Sequence, residues 1–72
     1  MKVKTFLNKL NIGRSDIDHV VIEDVNTKLQ VRLDRGSIYR QDYGDWGDSK
    51  VNSITLSGVV EGLVGVWMYV EK

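Results

Sequence analysis

The stretch over residues 63–70 constrains the fold most, because it is apolar at both alternating sets of positions. One set is Val64, Val66, Met68 and Val70, and the other is Leu63, Gly65, Trp67 and Tyr69. Successive side chains of a strand point to opposite faces of its sheet, and a strand with one solvated face has one polar set. The pattern therefore predicts a central strand, or one covered on both sides. If Trp67 and Tyr69 point away from the covering helix, we expect their face to be an interaction surface or a subunit interface.

Apolar residues near the N-terminus follow the spacing of a helix. Val3, Phe6, Leu7 and Leu10 lie at positions i, i+3, i+4 and i+7, on one helix face. They predict a helix over residues 3–11, with Gly13 suited to the turn that ends it. Such a short helix is not stable alone in water, so its apolar face must pack on another element. Residues 15–18 are polar and predict a turn.

The middle of the chain alternates between apolar and polar residues and predicts further strands. They cover residues 19–23, 29–34, 37–40 and 51–60, with turns at 26–28, 34–36 and 61–62. Ile38 would face inward on the third of these strands, and Ile54 and Leu56 would mark the core side of the fourth. The predicted fold class is α+β: one N-terminal helix packed on a mostly antiparallel four- to five-stranded sheet, in a single domain over residues 1–72.

Composition limits how this small domain can be stabilised and what it can bind. The chain has 72 residues, a formal net charge of zero, one histidine and no cysteine. Neither a disulfide nor a structural zinc site can support its small core, so homodimerisation is an open alternative. No bilayer-spanning apolar stretch or signal-peptide core is present, and a cytoplasmic location is expected. Zero net charge argues against nucleic acid or an anionic membrane as the partner.

The most unusual segment is residues 42–48, where an Asp-aromatic-Gly pattern nearly repeats with a period of three. It contains Asp42, Tyr43, Asp45, Trp46 and Asp48. Large aromatic side chains beside carboxylates on a loop are typical of recognition sites, so we interpret these five residues as contacts for another protein. The alternative is that Tyr43 and Trp46 fold back onto the open end of the sheet while the aspartates stay solvated.

Catalytic and metal sites are not predicted. The acids of residues 42–48 recur every three positions, whereas a calcium loop needs ligands at alternate positions and a later bidentate acid. Asp16, Asp18 and His19 fit a turn and a strand edge better than a metal or acid–base site. No nucleophile stands beside a base, and no glycine-rich phosphate loop has strand-to-helix context. We therefore expect no enzymatic activity, no cofactor and no metal.

Two other functions remain open at this point. A small nucleic-acid-binding protein would use a basic strand face with Arg32, Arg35 and Arg40, and Tyr39 would stack on a base. Zero net charge and the nearby acidic loop count against it. A self-assembling structural subunit would close through the face of Trp67 and Tyr69 or through an open sheet edge.

Four segments together carry a resemblance. They are the opening VKTFLNKL helix, the HVVIE strand, the KVNSI segment and the terminal VWMYVE strand. Their layout is similar to that of small uncharacterised proteins encoded by phages and mobile elements of Gram-positive bacteria. The resemblance implies an inhibitor or regulator of the anti-CRISPR or another anti-defence kind. Its partner would be a host defence or nucleic-acid-processing protein, and the resemblance implies no individual site residue.

Overall fold

The described part of the chain combines a four-stranded sheet with two short α-helices, which confirms the α+β class. The computed structural model describes residues 1–9, 17–60 and 63–72, with residues 57–60 and 63 described by their backbone alone. In chain order the elements are α1 (Val3–Lys9), β1 (Ile17–Asp24), β2 (Gln30–Asp34), α2 (Arg35–Tyr39), a 3₁₀ helix (Gly44–Trp46), β3 (Lys50–Val60) and β4 (Leu63–Glu71).

The strands form one mixed sheet in the order β2-β1-β4-β3. β1 pairs antiparallel with β2, and β3 pairs antiparallel with β4. β1 and β4 run parallel to each other at the centre. The sheet therefore consists of two antiparallel pairs joined side by side, and the prediction that β4 is a central strand is confirmed.

Both helices pack on the same face of the sheet, which we call the helix face. Val3 and Leu7 of α1 and Ile38 of α2 are buried in one cluster with β1 and β4. The full cluster is Val3, Leu7, Val20, Ile22, Leu33, Ile38, Tyr43, Val66, Met68 and Val70. The register pairs Val20 with Val66, so one set of alternating positions on each central strand supplies the core.

The first helix begins at Val3, as the apolar spacing predicts. Its predicted end near residue 11, the turn at Gly13 and the turn at residues 61–62 lie outside the described residues. No helix in the described part of the chain has the length and hydrophobicity needed to cross a membrane.

The third predicted strand, over residues 37–40, is wrong, because the chain forms α2 there. Ile38 is buried as expected, but it reaches the core from a helix. Asp34 is the N-cap of this helix, and its Oδ1 accepts a hydrogen bond from the Ser37 backbone N–H at 2.7 Å. That bond is the largest cause that lowers the pKa of the Asp34 carboxyl. The cap favours a helix over the β preference of Ile38 and Tyr39.

Ile54 and Leu56 lie on the expected side of the sheet but outside the core. The register pairs them with Met68 and Val66, which are buried on the helix face. Their exposed fractions are nevertheless 40% and 70%. The reason is position, because α2 packs over β2 and β1 whereas β3 forms the opposite edge of the sheet.

Candidate interaction surfaces

The loop that contains Tyr43 is fastened to α1. Tyr43 is only 7% exposed and belongs to the core, and its hydroxyl donates a hydrogen bond to Asn8 Oδ1 at 2.6 Å. Burial raises the pKa of the Tyr43 phenol. Backbone bonds add to the connection, since Lys4 N–H donates to Gly47 O at 2.9 Å. The expectation of Tyr43 as an exposed anchor is therefore wrong, because its ring completes the core beneath α1.

The other members of the loop divide between internal partners and solvent. Trp46 is half-buried against the core, and Lys72 Nζ lies 4.5 Å from its ring centroid. Asp48 accepts a hydrogen bond from Lys4 Nζ at 2.8 Å, and this bond is the largest cause that lowers the pKa of its carboxyl. Asp42 and Asp45 are exposed. The two aromatic residues thus pack inward, and partner binding by this loop stays a prediction.

The residues predicted for nucleic acid do not form one strand face. Arg32 lies on β2 in register with Val21, on the face opposite the helices. Arg35 and Tyr39 lie on α2, where Tyr39 is 77% exposed, and Arg40 follows directly after the helix. The predicted basic strand face is wrong because residues 35–39 are helical.

Neither described helix packs on the other face of the sheet, which we call the open face. Its described positions include His19, Val21 and Glu23 of β1, Gln30 and Arg32 of β2, Ser53 and Thr55 of β3, and Trp67, Tyr69 and Glu71 of β4. The register places Trp67 between Val21 and Thr55, at the middle of the sheet. The open face therefore has an aromatic centre.

That centre contains two half-buried rings and an unpaired donor. The ring centroids of Trp67 and Tyr69 are 6.3 Å apart, and the rings are tilted by 32°. Trp67 Nε1 is buried and has no hydrogen-bond partner among the described residues. A buried N–H without an acceptor costs free energy, so the indole is not fully satisfied by the fold.

Polar side chains around this centre are paired with one another. The pairs are Asp18 Oδ2 with His19 Nδ1 (3.0 Å) and Arg32 Nη2 (3.8 Å), Gln30 Nε2 with Glu23 Oε1 (2.6 Å), and Asn52 Nδ2 with Glu71 Oε1 (3.2 Å). An aromatic centre within a polar rim is the usual anatomy of a protein–protein interface. Among the described residues, no group of three or more His, Cys, Asp or Glu side chains is placed to hold a metal ion.

Sequence reasoning ranked the acidic loop above the open face. The alternation along β4 already separated Trp67 and Tyr69 from the core set, but their direction depended on where the helices packed. The register with Val21 and Thr55 supplies that direction.

Comparison of the chain with protein-family models, with curated proteins and with solved structures finds no match.

Proposed function

We propose that this chain is a non-catalytic protein-binding module that receives its partner on the open face of the sheet. The observation that carries the proposal is the pair of rings at the centre of that face. Trp67 and Tyr69 lie side by side on a central strand, and their half-buried rings have centroids 6.3 Å apart. Aromatic side chains at the centre of a patch contribute most of the binding energy in many interfaces.

The size of the face supports this function. The molecule measures 33 × 23 × 17 Å. Its two longer dimensions set an upper limit on the area of the open face, and that limit is of the same order as the roughly 800 Å² that each partner contributes to a standard interface.

The paired rim defines the chemistry of the partner. Since Glu23 and Glu71 already have neutral hydrogen-bond partners on the open face, strong electrostatic attraction is not required. The partner would offer an apolar protein surface that packs against the rings of Trp67 and Tyr69. The resemblance to phage and mobile-element proteins adds the prediction that this partner is a bacterial defence or nucleic-acid-processing protein.

Two tyrosines provide a matched test of this proposal. Tyr69→Ala removes a ring from the open face, whereas Tyr39→Ala removes a ring that is 77% exposed on α2. Immobilised wild-type protein would capture a partner from a bacterial lysate, and calorimetry would then give the Kd of each variant with the purified partner. We expect Tyr69→Ala to weaken binding at least tenfold and Tyr39→Ala to leave it unchanged.

If Tyr39→Ala weakened binding and Tyr69→Ala left it unchanged, the result would contradict the proposal and favour the α2 surface. Capture of nucleic acid alone, with a steep salt dependence, would favour the nucleic-acid alternative. The melting temperature of each variant shows whether weaker binding reflects a damaged fold.

Fluorescence gives a second readout at the same face. The chain has two tryptophans, so Trp46→Phe leaves Trp67 as the only indole. Binding at the open face should change the Trp67 emission maximum, because the half-buried indole ring loses its remaining contact with water. An unchanged spectrum in the presence of saturating partner would contradict this site.

A further inference from the structure

The outer edge of β3 is a second surface that the fold leaves open. β3 ends the strand order of the sheet. Within the described residues, the N-terminus covers the beginning of its outer edge, through an antiparallel bridge between Lys2 and Lys50 and a 2.8 Å hydrogen bond from Val51 N–H to Met1 O. Past Val51, no strand within the described ranges pairs with this edge.

This edge has little of the usual protection against pairing. Residues 51–60 have the sequence VNSITLSGVV, which contains no charged side chain and no proline. Charges, prolines and bulges commonly keep edge strands apart. Irregularities at residues 51–53 and 57–59 bracket a segment with regular register, residues 53–57. The unprotected regular edge is therefore short and well defined.

The sequence of that segment is self-complementary. It runs Ser-Ile-Thr-Leu-Ser and is nearly the same in both directions. Antiparallel pairing of two copies about Thr55 places Thr55 opposite itself, Ile54 opposite Leu56, and Ser53 opposite position 57. Threonine pairs and aliphatic pairs across strands stabilise a sheet, and no like charges meet in this register.

The backbone groups of the segment are directed correctly for such pairing. In a strand of given direction, residues on one sheet face point their N–H and C=O groups to the same edge. Val51 lies on the helix face and its N–H points to the outer edge, where it reaches Met1. Ile54 and Leu56 share that face, so their backbone N–H and C=O groups also point outward. Ile54 of each copy would exchange backbone hydrogen bonds with Leu56 of the other.

The exposed side chains fit the same arrangement. A two-fold axis perpendicular to the sheet keeps the helix faces of both copies on one side. Ile54 and Leu56, which are 40% and 70% exposed, would then meet their counterparts in one apolar cluster. The pairing covers the apolar surface that the helices leave bare.

We propose that β3 pairs antiparallel with β3 of a second copy, centred on Thr55, and joins the two sheets into one continuous sheet. The occupant is a second copy because the edge is complementary to itself in side chains, charge and backbone direction. The interface is small, so the dimer is weak and its population depends on concentration. It uses the edge of β3 and leaves the aromatic centre of the open face accessible.

Single-cysteine variants test the register. Since the chain has no cysteine, a disulfide in such a variant can form only between copies. In the proposed dimer the two Thr55 Cα atoms form a non-hydrogen-bonded pair about 4.5 Å apart, within the range for a disulfide. Ser53→Cys is the matched control on the same strand and face. In the proposed register, residue 53 of the second copy lies about 13 Å from it along the strand. We expect Thr55→Cys to cross-link under mild oxidation and Ser53→Cys not to; equal cross-linking would overturn the register.

Sedimentation equilibrium tests the dimer itself. Wild-type protein should show a monomer–dimer equilibrium that Leu56→Lys abolishes, because the new ammonium group faces Ile54 of the second copy. Leu56 is 70% exposed, so the variant should keep its melting temperature at low concentration. Leu29→Lys, at a position that is 60% exposed near the far edge, should dimerise like the wild type. A wild type that stays monomeric at every soluble concentration, or a Leu56→Lys variant that dimerises equally well, would overturn the proposal.

Discussion

Two pairs of aromatic residues in this chain have opposite surroundings. Tyr43 and Trp46 stand among aspartates in a loop, yet Tyr43 is 7% exposed and both rings pack on the core. Trp67 and Tyr69 stand in the most apolar strand, yet they lie on the face that neither described helix covers. The exposure of an aromatic ring thus depends on the elements that pack around it and cannot be inferred from the polarity of its sequence neighbours.

The pairs also differ in how their polar atoms are satisfied. The Tyr43 hydroxyl donates to Asn8, whereas Trp67 Nε1 is buried without a partner in the described part of the chain. A satisfied polar atom in a packed ring stabilises the fold, and an unsatisfied one lowers its stability. We therefore expect the loop pair to contribute to stability and the sheet pair to contribute to binding.

The largest effect is expected from truncating Tyr43. Tyr43→Ala should lower the free energy of unfolding by about 3 to 4 kcal/mol, because it leaves a cavity beneath α1. Tyr69→Ala should cost clearly less, since the ring is half-buried on the open face. Urea denaturation of both variants measures the difference. If Tyr43→Ala does not fold, Tyr43→Phe serves instead. It should lower the free energy of unfolding by about 1 kcal/mol, because the hydrogen bond to Asn8 is lost. Equal losses from Tyr43→Ala and Tyr69→Ala would contradict the comparison.

A smaller effect is expected at Trp67. Trp67→Phe removes an indole N–H that has no acceptor within residues 1–9, 17–60 and 63–72, which favours the folded state. The loss of contact area offsets that gain. The free energy of unfolding should stay within about 1 kcal/mol of the wild-type value. A loss of several kcal/mol would contradict the expectation that the sheet pair contributes to binding more than to stability.

The smallest effect is expected from the ion pair of the loop. The folded state lowers the pKa of the Asp48 carboxyl below 3.8, chiefly through the bond from Lys4. Its stabilisation is therefore complete above pH 3.8 and is lost as the pH falls through the lower folded value. Asp48→Asn should lower the melting temperature slightly at neutral pH, and the difference from the wild type should shrink in acid. Asp45→Asn, which removes an exposed carboxylate from the same loop, is the control, and an unchanged difference in acid would argue against the Lys4 pair.

Much of the fold follows from local patterns. Alternation predicts β1, β2, β3 and β4 and the central position of β4, and helical spacing predicts the start of α1. The parallel pairing of β1 with β4 does not follow, because a strand shows the same alternation beside a parallel or an antiparallel neighbour. The order of strands depends on contacts between distant residues that local patterns do not contain.

The errors have local causes that can be named. The helix at residues 35–39 was predictable from Asp34, a strong N-cap residue followed three positions later by Ser37, whose N–H it accepts. The inward packing of Tyr43 depends on Asn8, which lies 35 positions earlier and shows no link to the loop in the sequence. The orientation of Trp67 likewise requires knowing which face the helices cover.

The parallel pair at the centre also determines when the chain can fold. Val20 pairs with Val66, 46 positions later, and β4 is synthesised after every other described element. Until β4 emerges from the ribosome, β3 has no neighbouring strand in the described sheet and β1 has only β2. The core also lacks Val66, Met68 and Val70 until then. We therefore expect slow, all-or-none folding that is limited by one long-range closure, with the nascent chain dependent on protection from aggregation before that step.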